Sequence, residues 1–223
     1  HRNSKYAEIL LDPTAISKEK QNSNEIYERL YIDFNEQKYV QVIDECNKYI
    51  LDLNGEPIVP KFEFLKALSI ARVYGFKEYE KALSFIKLNY SSTPEGKEAE
   101  LILKEVLPHV KNDKFKDNKI SDNYKIIYQF ETVLNNEISS QIRDLQQYID
   151  NVNYLDLRVS EDFYNNIITF VVIHGLKSYD GSLGLAERLE NSIDIQAESF
   201  FVLSSDNYKM IQIHKNIDKF ENK

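Results

Sequence analysis

The segment Gly181-Ser182-Leu183-Gly184 comes closest to a nucleophilic motif in this chain. A serine nucleophile elbow reads G-x-S-x-G, and its serine lies on a sharp turn between a strand and a helix. Here the serine directly follows the first glycine, so the spacing does not fit. We interpret the segment as a turn in which the Ser182 hydroxyl is the N-cap of a helix that runs to Ser192.

Metal chemistry needs histidines, cysteines or carboxylates that cluster at regular spacing. His109, His174 and His214 are instead distributed over three different predicted elements. The single cysteine, Cys46, excludes an internal disulfide and lies in a helical pattern, where a small buried hydrophobic residue is expected. The sequence therefore predicts no catalytic residue, no cofactor and no metal. An enzymatic site near His174 and Asp180 stays open as a separate hypothesis.

The chain of 223 residues has 28 lysines and arginines against 36 aspartates and glutamates, a formal net charge of -8. A nucleic-acid-binding face needs clustered positive charge, so this balance argues against one. Hydrophobic residues make up 42%, which suffices for a packed core. Because the chain begins at His1 and its only methionine is Met210, we interpret it as a processed form or an excised fragment.

The first half of the chain shows apolar residues at helical spacing. The stripe of the first predicted helix consists of Tyr27, Leu30, Tyr31 and Phe34. The fifth predicted helix opens at Thr93-Pro94-Glu95, which supplies an N-cap hydroxyl, a proline at the first helical position and an early acid. The predicted helices cover 24–37, 39–53, 61–74 and 78–89, and the fifth starts at 93.

A shift of 40 residues superimposes the first predicted helix pair on the second, with apolar or aromatic residues at each aligned position. Residues 5–11 match 97–103 in the same way, which indicates that the chain begins inside the closing helix of an earlier repeat. The aligned residues resemble the tetratricopeptide repeat. They are Leu30-Tyr31, Phe34, Tyr39, Val42 and Cys46 in one repeat, and Ile70-Ala71, Tyr74, Tyr79, Ala82, Ile86 and Pro94 in the next.

The resemblance to tetratricopeptide repeats implies helix pairs that stack and leave a concave surface. Positions on the first helix of each pair would line that surface. The possible protein-binding groove residues are Glu28, Asn35 and Arg72.

The second half of the chain changes period. Residues 111–123 are polar and charged and indicate a linker. Strands are predicted at 124–130, 154–159, 167–173 and 199–203, with helices at 135–150 and 182–192 and a final helix that Ser205-Asp206 can cap. This order is that of a ferredoxin-like βαββαβ domain, with both helices on one face of an antiparallel sheet.

The predicted fold class is therefore α+β. A tetratricopeptide-like helical solenoid fragment occupies residues 1–111, a linker follows at 112–123, and a ferredoxin-like domain with a C-terminal helix occupies 124–223.

Three segments resemble one family beyond the generic repeat: residues 58–67 (IVPKFEFLKA), 85–99 (FIKLNYSSTPEGKEA) and 204–218 (SSDNYKMIQIHKNID). They are similar to the SprE/PorW-type tetratricopeptide-repeat lipoproteins of the Bacteroidota type IX secretion system. The resemblance implies a non-enzymatic protein on the periplasmic face of the outer membrane. Its anchor would be a lipidated N-terminal cysteine, which is absent from this sequence, and Cys46 is not that residue.

The family resemblance also implies partners. The protein would be a scaffold of the secretion and gliding-motility machinery that links the outer-membrane translocon to periplasmic components, with no nucleic-acid partner. The alternative is a generic repeat adaptor or a peptidoglycan-binding module unrelated to type IX secretion, because ferredoxin-like domains of similar size bind peptidoglycan.

Overall fold

The computed structural model describes residues 15–111, 114–133, 135–153 and 156–221. The fold is mixed α+β: helices mostly precede a four-stranded antiparallel sheet, as the sequence predicts at this level. The described chain divides into two compact units. The helical unit comprises residues 15–70 and 80–104, and the sheet unit comprises residues 71–79 together with the described residues from 105 onward. The matching segment 5–11 lies outside the described residues.

The first half of the chain folds as consecutive helices joined by short turns. They are α1 (Ala15–Asn35), α2 (Tyr39–Asp52), α3 (Val59–Tyr74), α4 (Phe76–Asn89) and α5 (Pro94–Leu101), followed by a π-helical turn (Ile102–Val106) and α6 (Leu107–Lys111). The turn between α3 and α4 belongs to the sheet unit, where the Phe76 ring packs against His214 with centroids 5.4 Å apart.

The helical stripes meet in one core of the helical unit. Leu30, Val42, Cys46, Phe62 and Leu65 are almost completely buried there and form one cluster. Leu30 belongs to the stripe predicted for the first helix, and Val42 and Cys46 are among the aligned repeat residues of the second. Burial of a large apolar side chain contributes about 1.5–3 kcal/mol, so this cluster supplies much of the stability of the unit.

Helix α5 starts as its sequence predicts. The Thr93 side chain accepts a hydrogen bond from the Gly96 N–H at 3.1 Å, and Pro94 occupies the first turn. The Gly96 position lies against the preceding turn: a Cβ atom built there would be 1.9 Å from the carbonyl oxygen of Tyr90. The helix can therefore approach the chain this closely only because position 96 has no side chain.

The sheet unit alternates strands and helices. Its elements are β1 (Tyr124–Glu131), α7 (Asn135–Asn151), β2 (Arg158–Phe163), β3 (Ile168–Leu176), α8 (Tyr179–Ser192), β4 (Ser199–Ser204), α9 (Ser205–His214) and α10 (Asp218–Glu221). The strand order in the sheet is β2-β3-β1-β4, and each neighbouring pair is antiparallel.

Strand β2 lies further along the chain than its period-2 pattern predicts. The expected strand covers 154–159, of which residues 154–155 lie outside the described part. The Asn165 side chain accepts hydrogen bonds from the N–H groups of Ile167 and Ile168, both at 2.8 Å, and so forms the turn. In an antiparallel pair the turn decides which residues lie opposite each other. Here Phe163 pairs with Thr169 next to the turn, and the pairing continues to Arg158 opposite His174.

Each face of the sheet has its own core. Helices α7 and α8 cover one face, where Ile138, Leu145 and Leu189 pack against alternate residues of the strands. Helix α9 covers the other face, where Tyr208 and Ile211 pack against a second set of strand residues. The N-cap of α9 is Ser204, one residue before the predicted Ser205-Asp206 cap.

The segment 114–123 is hydrogen-bonded to the sheet unit, although its polar composition suggests a free linker. The Asn118 side chain donates to the carbonyl oxygen of Val202 at 2.7 Å and accepts from the Ser204 N–H at 2.7 Å, as a neighbouring strand would. It thereby occupies backbone groups at the outer edge of β4. No helix among the described residues combines the length and the apolar character needed to cross a membrane.

Candidate functional site

Three aromatic rings form a row along α1. The ring centroids of Tyr27 and Tyr31 are 6.4 Å apart with planes 23° from parallel, and those of Tyr31 and Phe34 are 6.4 Å apart at 20°. We call Tyr27, Tyr31 and Phe34 the aromatic row. Tyr31 is 48% exposed, so the helical stripe expected to be a buried face is open to solvent at its centre.

A groove of about 320 Å³ adjoins the aromatic row at Tyr27. It lies between α1, α3 and α5. We call it the groove, and its lining residues are Tyr27, Lys61, Phe64, Pro94, Glu95 and Glu98. The floor is aromatic, since the Tyr27 ring also meets Phe62 edge-on with centroids 5.7 Å apart.

The described residues that line the groove include one cation and two carboxylates. The Lys61 ammonium lies 5.8 Å from the centroid of the Tyr27 ring, in cation–π range. Burial raises the pKa of Tyr27, and the nearby Tyr31 and Glu95 raise it further. The charge of Glu95 therefore acts directly on the row. Aromatic surface beside excess carboxylate is suited to a ligand that is both apolar and cationic.

The groove residues that the sequence predicts do not line the groove. Glu28 and Asn35 are exposed on α1, and neither contributes to the pocket wall. Arg72 is exposed at the end of α3, in the part of that helix that belongs to the sheet unit. Sequence reasoning assigned Tyr27 and Tyr31 to the core instead. One feature of the sequence did indicate that Tyr31 differs from a core residue: a small residue is usual at that repeat position.

A polar network lies on the α9 face of the sheet. His174 on β3 contacts the Lys125 ammonium through Nδ1 at 2.8 Å and the Ser160 hydroxyl through Nε2 at 2.6 Å. The Ser160 hydroxyl donates to Asp162 Oδ1 at 2.8 Å, and the Tyr208 hydroxyl of α9 donates to Asp162 Oδ2 at 2.5 Å. The network thus joins three strands to the covering helix.

The hydrogen-bond directions in this network do not suit a serine nucleophile. A protonated lysine only donates, so we assign Nδ1 of His174 as the acceptor and Nε2 as the N–H that donates to Ser160. In a nucleophilic triad the histidine takes the serine proton and the aspartate holds the histidine. Here the Ser160 hydroxyl donates its hydrogen bond to Asp162 and not to the histidine, and the side chain at the other ring nitrogen of His174 is Lys125.

The pKa of His174 is lowered to about 4, first by burial and then by the charge of Lys125. Arg158 lowers it further, whereas Asp162 raises it. Burial raises the pKa of Tyr208 as well, and Asp162 adds to that effect. At neutral pH the network is therefore a neutral imidazole and a neutral phenol that connect a lysine to an aspartate.

Acidification is expected to destabilise the sheet unit through His174. Between pH 6.5 and about 4 the unfolded chain binds a proton that the folded imidazole does not, so stability falls as the pH falls. Because the ring is partly solvated, we expect a loss of about 1 kcal/mol between pH 7 and pH 5. Urea unfolding followed by the amide NMR signals of β1–β4 measures it. His174→Gln should lack this part of the pH dependence, and equal losses in both proteins would contradict the assignment.

A second cleft, of about 550 Å³, lies at the start of α8. Lys177, Ser178, Gly181 and Arg188 are among its lining residues, whereas His174 and Asp180 are not. The predicted N-cap at Ser182 is wrong: the helix starts earlier, Ser178 is its cap, and the Ser182 hydroxyl donates to the carbonyl oxygen of Ser178 at 2.7 Å. His174 and Asp180 therefore do not meet in this cleft.

Cys46 is expected to be inert in the folded protein. The residue is fully buried, and burial raises the pKa of its thiol to about 12. Since the thiolate is the reactive form, a thiol reagent at pH 8 should label the native protein at least about 100-fold more slowly than the urea-unfolded protein. Labelling can be followed by mass spectrometry. Equal rates in the native and unfolded proteins would show that the helical unit does not protect this position.

Within the part of the chain that the structure describes, no group of three or more histidine, cysteine, aspartate or glutamate side chains could hold a metal ion. No protein-family model, no curated protein and no solved structure matches the chain. Membership of the SprE/PorW family stays a prediction from the sequence motifs. The groove and the aromatic row are the surface features from which a function can be argued.

Proposed function

We propose that the protein is a non-enzymatic scaffold whose helical unit docks other proteins. The observation that carries this proposal is the groove, which lies between α1, α3 and α5 and has an aromatic floor. The stacking of α1, α2 and α3 around one core supports a tetratricopeptide-like arrangement. Exposed aromatic side chains are enriched at protein-binding surfaces, where they combine large contact area with a polar group.

The sheet unit fits the same role as a compact appended module. Its element order and its strand order β2-β3-β1-β4, with α7 and α8 on one face, support a ferredoxin-like fold. In the polar network on the other face, the Asp162 carboxylate accepts a hydrogen bond from Tyr208 of α9. This bond within the unit favours a structural role for the network residues. The helical unit is therefore the better candidate for partner binding.

We further propose that the partners are components of the type IX secretion and gliding-motility machinery, at the periplasmic face of the outer membrane. This part of the proposal rests on the three sequence segments that resemble the SprE/PorW lipoproteins. In this role the scaffold links the outer-membrane translocon to periplasmic components.

Affinity capture of the full-length protein from its own cells after in-cell cross-linking tests the scaffold function. Enrichment of outer-membrane translocon and periplasmic components over an untagged control would support it, and recovery of cytosolic proteins alone would reject it. Co-sedimentation with purified sacculi examines the alternative. Binding to sacculi without any enrichment of secretion components would favour a peptidoglycan-binding module.

A further inference from the structure

The aromatic row has the spacing of an extended polyproline II ligand. Each interval between ring centroids is 6.4 Å, and the ring planes are within 23° of parallel. A polyproline II helix rises about 3.1 Å per residue, so two of its residues advance about 6.2 Å. Each interval of the row therefore matches about two residues of such a ligand. Peptides of this kind bind in aromatic-lined grooves because their conformation is already formed before binding.

The chemistry of the row also favours an extended ligand over a helical one. Tyr31 is 48% exposed and has a phenolic hydroxyl that can donate a hydrogen bond. The backbone carbonyls of a polyproline II segment have no internal partner and can accept from it, whereas those of a helix are already bonded. An amphipathic helix also needs an apolar groove that accepts side chains at i, i+3, i+4 and i+7, whereas only Tyr31 of the row is exposed and Tyr27 and Phe34 are half-buried.

Charge favours a basic segment at the end of the row where the groove lies. Among the described lining residues, Glu95 and Glu98 stand against one ammonium, that of Lys61, so this part of the lining carries an excess of negative charge. Neither carboxylate is held in an ion pair among the described residues. A lysine or arginine of the ligand would lie between the carboxylates and the Tyr27 ring, which attracts a cation through its face.

We propose that the aromatic row and the groove together bind an extended, proline-rich peptide segment of a partner protein, with a basic residue at the groove and prolines along the row. The inference rests on the proposed function, since it names the class of ligand that the helical unit would dock. The groove supplies charge selectivity, and the row supplies apolar contact and a hydroxyl donor.

Fluorescence polarisation with a labelled peptide tests this inference on the full chain. The probe is two arginines followed by six prolines. Two control peptides replace either the prolines by alanines or the arginines by glutamates. We expect each control to bind about 10-fold more weakly than the probe, and the affinity of the probe to fall as salt rises. Equal binding of all three peptides would overturn the inference.

Protein variants locate the binding surface. Tyr31→Ala removes the centre of the row and should weaken binding of the probe about 10-fold, and Glu98→Lys should weaken it about 5-fold. Phe85→Ala is the matched control, because Phe85 is an aromatic residue of the helical unit with the same 48% exposure, and it should leave the affinity unchanged. Circular dichroism checks that each variant is folded. Unchanged binding by folded Tyr31→Ala would overturn the assignment.

Two further outcomes would replace the peptide by another occupant. Tighter binding of an amphipathic helical peptide than of the probe would indicate a helix ligand. Self-association of the protein that Tyr31→Ala abolishes would indicate a second copy of this chain. The capture experiment separates the two proposals: if Tyr31→Ala still captures the secretion components from cells, the scaffold function stands and the peptide inference fails.

Discussion

Gly96→Ala is expected to destabilise the helical unit by about 3 kcal/mol, because the new methyl group would collide with backbone. The Cβ atom would lie 1.9 Å from the carbonyl oxygen of Tyr90. That carbonyl accepts hydrogen bonds from the Thr93 N–H at 2.9 Å and from the Thr93 hydroxyl at 2.8 Å, so the turn before α5 holds it in place. Relief of the collision requires a shift of the helix that also disturbs its N-cap.

Gly184→Ala is the matched control for this substitution. Gly184 is likewise a helical glycine, and a Cβ atom built there has no heavy atom within 4 Å. Alanine should leave stability unchanged or raise it by about 0.5–1 kcal/mol, because it reduces the entropy of the unfolded chain. Urea unfolding of both variants measures the difference, and Cys46 labelling reports on the helical unit separately. Similar stability of the two variants would contradict the close approach at position 96.

Asn207→Ala is expected to destabilise the sheet unit by about 2 kcal/mol, because the fully buried side-chain amide of Asn207 is hydrogen-bonded to the segment before β1. Its Oδ1 accepts from the Lys116 N–H at 2.9 Å, and its Nδ2 donates to the Lys116 carbonyl oxygen at 3.0 Å. Alanine removes both bonds and leaves a cavity at the start of α9. Residues 114–123 should then be released, and limited proteolysis there should be faster.

Asp206→Ala tests whether the buried amide, and not the adjacent charge, holds this segment. Asp206 pairs with the same lysine at 2.6 Å, but both side chains are more than 60% exposed. Exposed pairs contribute about 0–1 kcal/mol, so this variant should lose less than about 0.5 kcal/mol and keep the protease resistance of the segment. Thermal unfolding and timed trypsin digestion compare the two variants. A larger loss in Asp206→Ala than in Asn207→Ala would refute the explanation.

Local patterns predicted much of the helical unit. Leu30 on α1 and Val42 and Cys46 on α2 belong to apolar positions at helical spacing, because the helical period places such residues on one side of their own helix, and all three are buried. The N-cap at Thr93 was predictable for the same reason, since its hydrogen bond reaches only three residues along the chain.

The apolar stripe of α1 does not predict which of its residues remain exposed. Tyr31 has the helical spacing of a core residue, yet it is 48% exposed. Exposure depends on which helices pack on each side of α1, and the period of one helix contains no information about its neighbours. The predicted groove positions Glu28 and Asn35 likewise do not line the groove.

The polar network around His174 could not be predicted from local sequence patterns. The four side chains that His174 joins in this network come from positions 125, 160, 162 and 208, on two other strands and a helix. Their residue types are visible in the chain, but their proximity depends on the pairing of β1 and β2 with β3 and on the docking of α9. Helix periods, caps and turns follow from interactions between residues a few positions apart. The groove, the row and the network depend on long-range packing, whose free energy is shared among many distant residues.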